Sequence, residues 1–177
     1  MKGTTTMKSW MEKIFSETGR TVLGLTLSLL ILASALQAVI SITVTGSWTL
    51  SITSANLSGA AGSDLTSFFE SATNQLAMTI GGSGGHTWRV DVHRVDATWH
   101  ANFGLYIKRT NGGTAGKGTV YAGGTEYALI TTSDQTFWTG INDRQFIYLQ
   151  EKLDGVSCAI PAASYSTTIY FTVVQTN

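Results

Sequence analysis

The chain is expected to fold as an all-β protein, an antiparallel sandwich preceded by an N-terminal apolar helix. Three observations lead there. Several short stretches alternate strictly between apolar and polar side chains, which places one face of an extended strand inward. Nineteen glycines against one proline separate those stretches, and glycine clusters mark turns. The only long uncharged, leucine-rich run lies near the N-terminus. Charged residues make up 12% of the chain, with 11 basic side chains balancing 11 acidic ones, so no basic field exists to steer nucleic acid.

The N-terminal element comes first. Lys2, Lys8, Lys13 and Arg20 outweigh Glu12 and Glu17, and no charged side chain follows until Asp64. The run from Val22 to Leu36 leads into Ala33-Ser34-Ala35 and then Leu36-Gln37-Ala38. A basic segment, an apolar segment and small residues at alternate positions form a secretory signal peptide. Cleavage is expected after Ala38, with Ala35 as the second choice. The competing assignment is an uncleaved anchor, because Val22 to Val44 is long enough to span a bilayer. Residues 1–38 are thus the export segment and 39–177 a single β-sandwich domain. The membrane enters only through that segment, and the exported domain belongs at the extracellular cell surface.

From Ile40 to Thr53 the period is two. Ile40, Ile42, Val44, Trp48, Leu50 and Ile52 share one face, while serines and threonines fill the other. Gly46 interrupts the pattern, so the stretch is either one long strand or an arm over 39–45 followed by a separate strand. Further strands are expected at Leu76–Ile80, Trp88–Val92, Leu105–Ile107, Tyr127–Thr132, Phe146–Leu149 and Tyr165–Val174. Val120–Tyr121 and Val156–Ile160 are shorter candidates. Asp64 to Ala72 is the one helix expected in the exported domain. Cys158, the only cysteine, alternates with Val156 and Ile160 and reads as a small buried hydrophobe, with an intermolecular bridge or a reactive thiol as the alternative.

Two glycine-rich loops imitate catalytic motifs. Gly81-Gly82-Ser83-Gly84-Gly85 has the letters of a nucleophile elbow, but that elbow needs a strand leading into a helix, and strands flank it on both sides. Gly113 to Thr119 imitates a phosphate loop, yet Gly118 follows Lys117 where a metal-binding hydroxyl should stand. His86, His93 and His100 with Asp91 and Asp96 are the residue types for a metal site, and Asp91, His93 and Ser83 are the only triad on offer. The simpler expectation is a polar strand face on which Arg89 and Arg94 pair with these acids. No enzyme activity, metal or cofactor is therefore expected.

Five tryptophans, six tyrosines and seven phenylalanines remain. Trp48 and Trp88 are in phase with the core. Trp99, Tyr106, Tyr121 and Trp138 fall out of phase or near loops, where aromatic faces stack on sugar rings or pack into a subunit interface.

The terminal run Ile160-Pro161-Ala162-Ala163-Ser164-Tyr165-Ser166-Thr167-Thr168-Ile169-Tyr170-Phe171-Thr172-Val173 resembles the last strand of spore-coat-U-like and fimbrial subunits. In those proteins a turn, a tyrosine and alternating Thr, Val and Ile close an immunoglobulin-like sandwich. The resemblance implies an immunoglobulin-like fold, wound as a jelly roll or Greek key, and an extracellular filament, pilus or coat subunit assembled by strand donation. This chain departs from those families in lacking a cysteine pair. A freed arm of Val39, Ile40, Ile42 and Val44 has the chemistry that donation needs. Its main chain would pair with an edge, and its alternate apolar side chains would fill a neighbour's groove. Identical subunits are then the partners. The opposing expectation is that the arm pairs within its own sheet. The alternative function is a carbohydrate-binding or adhesive module that uses surface glycans.

Overall fold

Alternating sequence becomes extended chain almost everywhere it was expected. The computed structural model describes residues 39–114 and 118–176, so the expected export helix lies outside the described residues. Among the described residues ten strands form: β1 (Ser41–Thr45), β2 (Phe68–Glu70), β3 (Leu76–Gly81), β4 (Thr87–Thr98), β5 (Gly104–Arg109), β6 (Thr119–Gly123), β7 (Ala128–Leu129), β8 (Gln135–Ile141), β9 (Arg144–Asp154) and β10 (Ser166–Gln175).

Every strand pair is antiparallel. One sheet runs β1-β3-β9-β5-β7, with β2 continuing along the β3 side of β9; the other runs β10-β4-β8-β6. Among the described strands no two of consecutive number are hydrogen-bonded neighbours. From β3 onward each connection passes from one sheet to the other. The pairs β3/β9, β4/β8 and β5/β7 are arranged symmetrically about β6 in chain order.

The inner faces meet in one apolar core, giving a sandwich-like architecture. Met78, Ile80, Ile107, Ile147 and Leu149 of the first sheet pack in the same cluster as Trp88, Val90, Val92 and Phe137 of the second. Trp88 also satisfies its indole N–H, which donates to the Asn142 carbonyl at 2.8 Å.

Four local expectations are corrected. Asp64 to Ala72 is not helical: the Asp64 carboxylate accepts from Leu65 N, Cys158 N and the Ser157 hydroxyl, and Phe68–Glu70 joins β9 as β2. A side chain that bonds nearby backbone in this way competes with helix formation. Val156–Ile160 is a turn closed by Ile160 N donating to the Ser157 carbonyl, not a strand, and Cys158 is exposed on it. Beyond Gly46 no strand forms from Trp48 to Ile52; the chain runs instead into a capped 3-10 turn at Ser54–Asn56. Of Tyr127–Thr132, only Ala128–Leu129 pairs with a neighbour.

Candidate functional site

β1 sits at the edge of its sheet, hydrogen-bonded to β3 in the register Ser41↔Gly81 through Thr45↔Ala77. The arm expected to be available for donation is therefore paired within its own chain here. Ile40, Ile42 and Val44 face inward and pack on the core, while Ser41, Thr43 and Thr45 face out. The sequence alternation alone dictates this, since a one-residue slip would turn every apolar side chain to solvent. Val39, just before the strand, is exposed. β10, at the edge of the opposite sheet, contributes Ile169, Phe171 and Val173 to the same core boundary. β1 thus closes the seam between β3 and β10.

Both ends of β1 depend on glycine. Gly46 has φ of 109°, and a Cβ there would collide with the Gln75 carbonyl oxygen. Gly82 has φ of 68°, and a Cβ there would strike the carbonyl of Val39. The Gln75 side-chain amide holds the Ser47 carbonyl, and Trp48 packs on the core. Gly46 is accordingly the hinge between a strand held by one neighbour and a chain anchored beyond it.

The described parts of the two glycine-rich loops are held by the protein's own side chains; residues 115–117, with Lys117 of the phosphate-loop imitation, lie outside the described residues. Ser83 is 2% exposed, and its hydroxyl donates to Asp143 Oδ1 at 2.6 Å while its backbone N–H donates to the same oxygen at 2.9 Å. These bonds, the hydroxyl first, hold the Asp143 carboxyl below its ordinary range. The second loop is gripped by Arg144, whose guanidinium donates to the carbonyls of Gly112 (2.9 Å), Gly113 (2.8 Å) and Gly118 (2.6 Å). A phosphate cradle presents N–H groups to an anion. This loop presents carbonyls to a cation, the opposite polarity.

The histidines and acids have separate partners. Asp91 accepts from Arg89 Nε at 2.8 Å and Arg94 bonds to Asp96, but the single polar face expected is corrected. Arg94 and Asp96 share the inward parity of Val90 and Val92, with Arg94 opposite Ile169, whereas Arg89, Asp91 and His93 lie on the outer face. His93 Nδ1 lies 2.7 Å from Asp134 Oδ1, and its ring stacks on Tyr170 with centroids 5.2 Å apart. His100 lies against Phe103 and Tyr165. Among the described residues no cluster of His, Cys, Asp and Glu is arranged to hold a metal ion.

The four candidate aromatics do not converge. Trp138 is 1% exposed, which corrects the out-of-phase reading. In the β4/β8 ladder Val90 faces Trp138 and Asp91 faces Thr136, so the extra residue Phe137 makes a bulge and both rings turn inward, 4.3 Å apart. Trp99 donates its indole N–H to the Phe103 carbonyl at 3.3 Å and has Arg94 over its face at 5.0 Å. Tyr106 lies under the Lys152 ammonium, 4.5 Å away. Tyr121 alone is open, 57% exposed on β6.

Sequence reasoning missed two groups. Arg144 is one. The other is Glu151, 5% exposed, whose Oε2 is buried without a hydrogen-bond partner among the described residues. Burial pushes its carboxyl up to about 7, with the Ser71 hydroxyl pulling the other way. The signal was present: Glu151 continues the inward parity of Ile147 and Leu149 along β9.

Compared with protein-family models, curated proteins and solved structures, the chain matches none. The class that fold and site define is a two-sheet antiparallel β-protein with an N-terminal edge strand closing its core.

Proposed function

We propose that this chain is an exported structural subunit of a filament, pilus or surface coat, assembled by donation of β1 from one subunit to the next. The observation that carries the reading is the position of β1. It is an edge strand hydrogen-bonded only to β3 in its sheet, follows the proposed cleavage point, and closes an apolar seam through Ile40, Ile42 and Val44. A neighbour's β1 in the same register would make the same contacts. Exchange about Gly46 therefore costs little in contact energy, the condition under which identical elements swap between protomers. A head-to-tail transfer does not close on itself and propagates as a fibre. The order of the strands favours a jelly-roll winding over the immunoglobulin-like one. An immunoglobulin sandwich keeps pairs of consecutive strands within a sheet; here consecutive strands from β3 onward alternate between sheets.

The test is a lock. Thr43 and Thr79 face each other across β1 and β3, and directly opposed strand residues lie within disulfide range. Thr43→Cys with Thr79→Cys, in a Cys158→Ser background, should give short or no filaments by negative-stain microscopy when oxidised. Reduction should restore them. Filaments that form equally well with the lock closed would exclude donation of β1. N-terminal sequencing of surface material should begin at Val39.

A further inference from the structure

The edges of the two sheets are protected unequally. β1 has five residues, β7 two, and β6 five with a bulge between Val120 and Gly123. β10 has ten residues, contains neither a charge nor a proline, and keeps regular pairing with β4 from Thr167 to Gln175. Short strands, charges, prolines and bulges are the devices that stop edges from pairing with other chains; β10 has neither the first three nor any irregularity beyond the one at its start, between Ser166 and Thr167.

The direction of its free backbone groups follows from two hydrogen bonds. Thr176 N donates to the Thr87 carbonyl in the β10/β4 ladder, and Arg94 N donates away from β10 to Thr131. Antiparallel ladders alternate, so Thr168, Tyr170, Thr172 and Val174 point their N–H and C=O groups at β4. Ile169, Phe171 and Val173 point theirs off the open edge. The side chains of Ile169, Phe171 and Val173 face the core, whereas Tyr170, 49% exposed, stands on the outer face.

We infer that β10 is a second self-association surface, and that its occupant is β10 of another copy, antiparallel about a two-fold axis through Phe171. Only registers that set inward residues opposite inward residues keep the apolar row buried. Centring on Phe171 pairs Phe171 with Phe171 and Ile169 with Val173, apolar against apolar, and leaves polar Thr167 opposite polar Gln175 at the ends. Centring on Tyr170 would set Val173 against Thr167. Charge is compatible: β10 is uncharged, and on neighbouring β4 Arg89 is paired with Asp91 and Arg94 with Asp96. The contact joins the four-stranded sheets of two subunits edge to edge. It uses a different strand from β1 and stands whether or not β1 is donated.

In this register Tyr170 faces Thr172 of the other copy in a non-hydrogen-bonded pair, the closest kind. Tyr170 and its own symmetry mate are diagonal, about 7–8 Å apart and beyond disulfide reach. The experiment uses the full chain with Cys158→Ser. Tyr170→Cys plus Thr172→Cys should give a covalent dimer on mild oxidation, and neither single variant should. Adding Val173→Pro removes an N–H that points off the edge but none that bonds β4, and should abolish the link. The inference is overturned by no dimer from the double variant with an intact β-sheet circular dichroism spectrum, by a link from Tyr170→Cys alone, or by a link that survives Val173→Pro. If β1 donation is wrong instead, the Thr43–Thr79 lock leaves assembly unchanged while this dimer still forms.

Discussion

The two glycine-rich loops look alike in sequence and are held in opposite ways. The loop at Gly81–Gly85 turns a hydroxyl and an N–H toward Asp143, and the loop at Asn111–Gly118 turns carbonyls toward Arg144. The two charged residues are adjacent where the short connection from β8 enters β9, Asp143 ending the connection and Arg144 opening the strand. A glycine-rich loop therefore has no intrinsic ligand. What it binds depends on which backbone groups its φ angles aim inward, and here the described groups of both loops are held by the protein itself.

Breaking the Arg144 side of the comparison should have the largest effect. Arg144→Met strips the donors from three carbonyls, and hydrogen bonds to a charged group are worth roughly 1.5–3 kcal/mol each, non-additively. A loss of roughly 3–4 kcal/mol in urea unfolding is expected. Arg144→Lys should recover only part of it, because an ammonium cannot reproduce the planar fork. A loss below about 1 kcal/mol would mean that the loop holds itself.

Glu151 provides a contrast in sign with Asp143. Its folded carboxyl titrates near 7 against an ordinary 4.5, so the folded state favours the neutral form. Its contribution is fully present below pH 4.5 and is lost as pH rises through 7, by about 3 kcal/mol in all. Glu151→Gln should flatten that part of the stability curve and make the protein more stable than the parent at pH 8. Equal slopes in the two proteins between pH 5 and 7.5 would contradict the assignment.

Asp143 behaves in the reverse way. Its folded carboxyl lies below the ordinary 3.8, so its contribution is present above that value and lost as pH falls through the lowered one. Asp143→Asn should cost about 2 kcal/mol at pH 7, the scale of a charged hydrogen bond. The difference from the parent should shrink toward pH 2.5, as read by thermal unfolding at each pH.

These cases show what the linear pattern encodes. Period-two alternation located β3, β4, β5 and β10 and gave Arg89 and Arg94 acidic partners, but it put both on one polar face, whereas the fold divides the two pairs between the outer and inner faces of β4. It located Gly46 as a break. It cannot reveal the bulge at Phe137, since that depends on the register of β8 against a strand far away in sequence, so alternation alone puts Trp138 out of phase with the core. The exposure of Cys158 depends on Asp64, a partner from a distant loop. Arg144 was invisible for the same reason: its carbonyl partners lie on a loop whose shape only the folded chain defines. The pairing order of the strands is non-local throughout.

Ser83→Ala should have the smallest effect and the most decisive meaning for the first loop. It removes one hydroxyl bond to Asp143 and leaves the backbone bond, so about 1 kcal/mol of stability should be lost. If Ser83 were a nucleophile, its hydroxyl would need a base within reach, as a catalytic serine does. Here the group within reach is the Asp143 carboxylate, held below its ordinary range and so a weak base, while His93 is engaged with Asp134. Any turnover of simple esters by the purified protein should therefore be unchanged in Ser83→Ala and in His93→Ala. Loss of such turnover in both variants, with unfolding midpoints preserved, would restore the loop to catalysis. Loss of stability alone assigns Ser83 to fastening the β3–β4 loop against the β8–β9 turn, at the end of the sandwich where Gly82 passes beneath the start of the β1 arm.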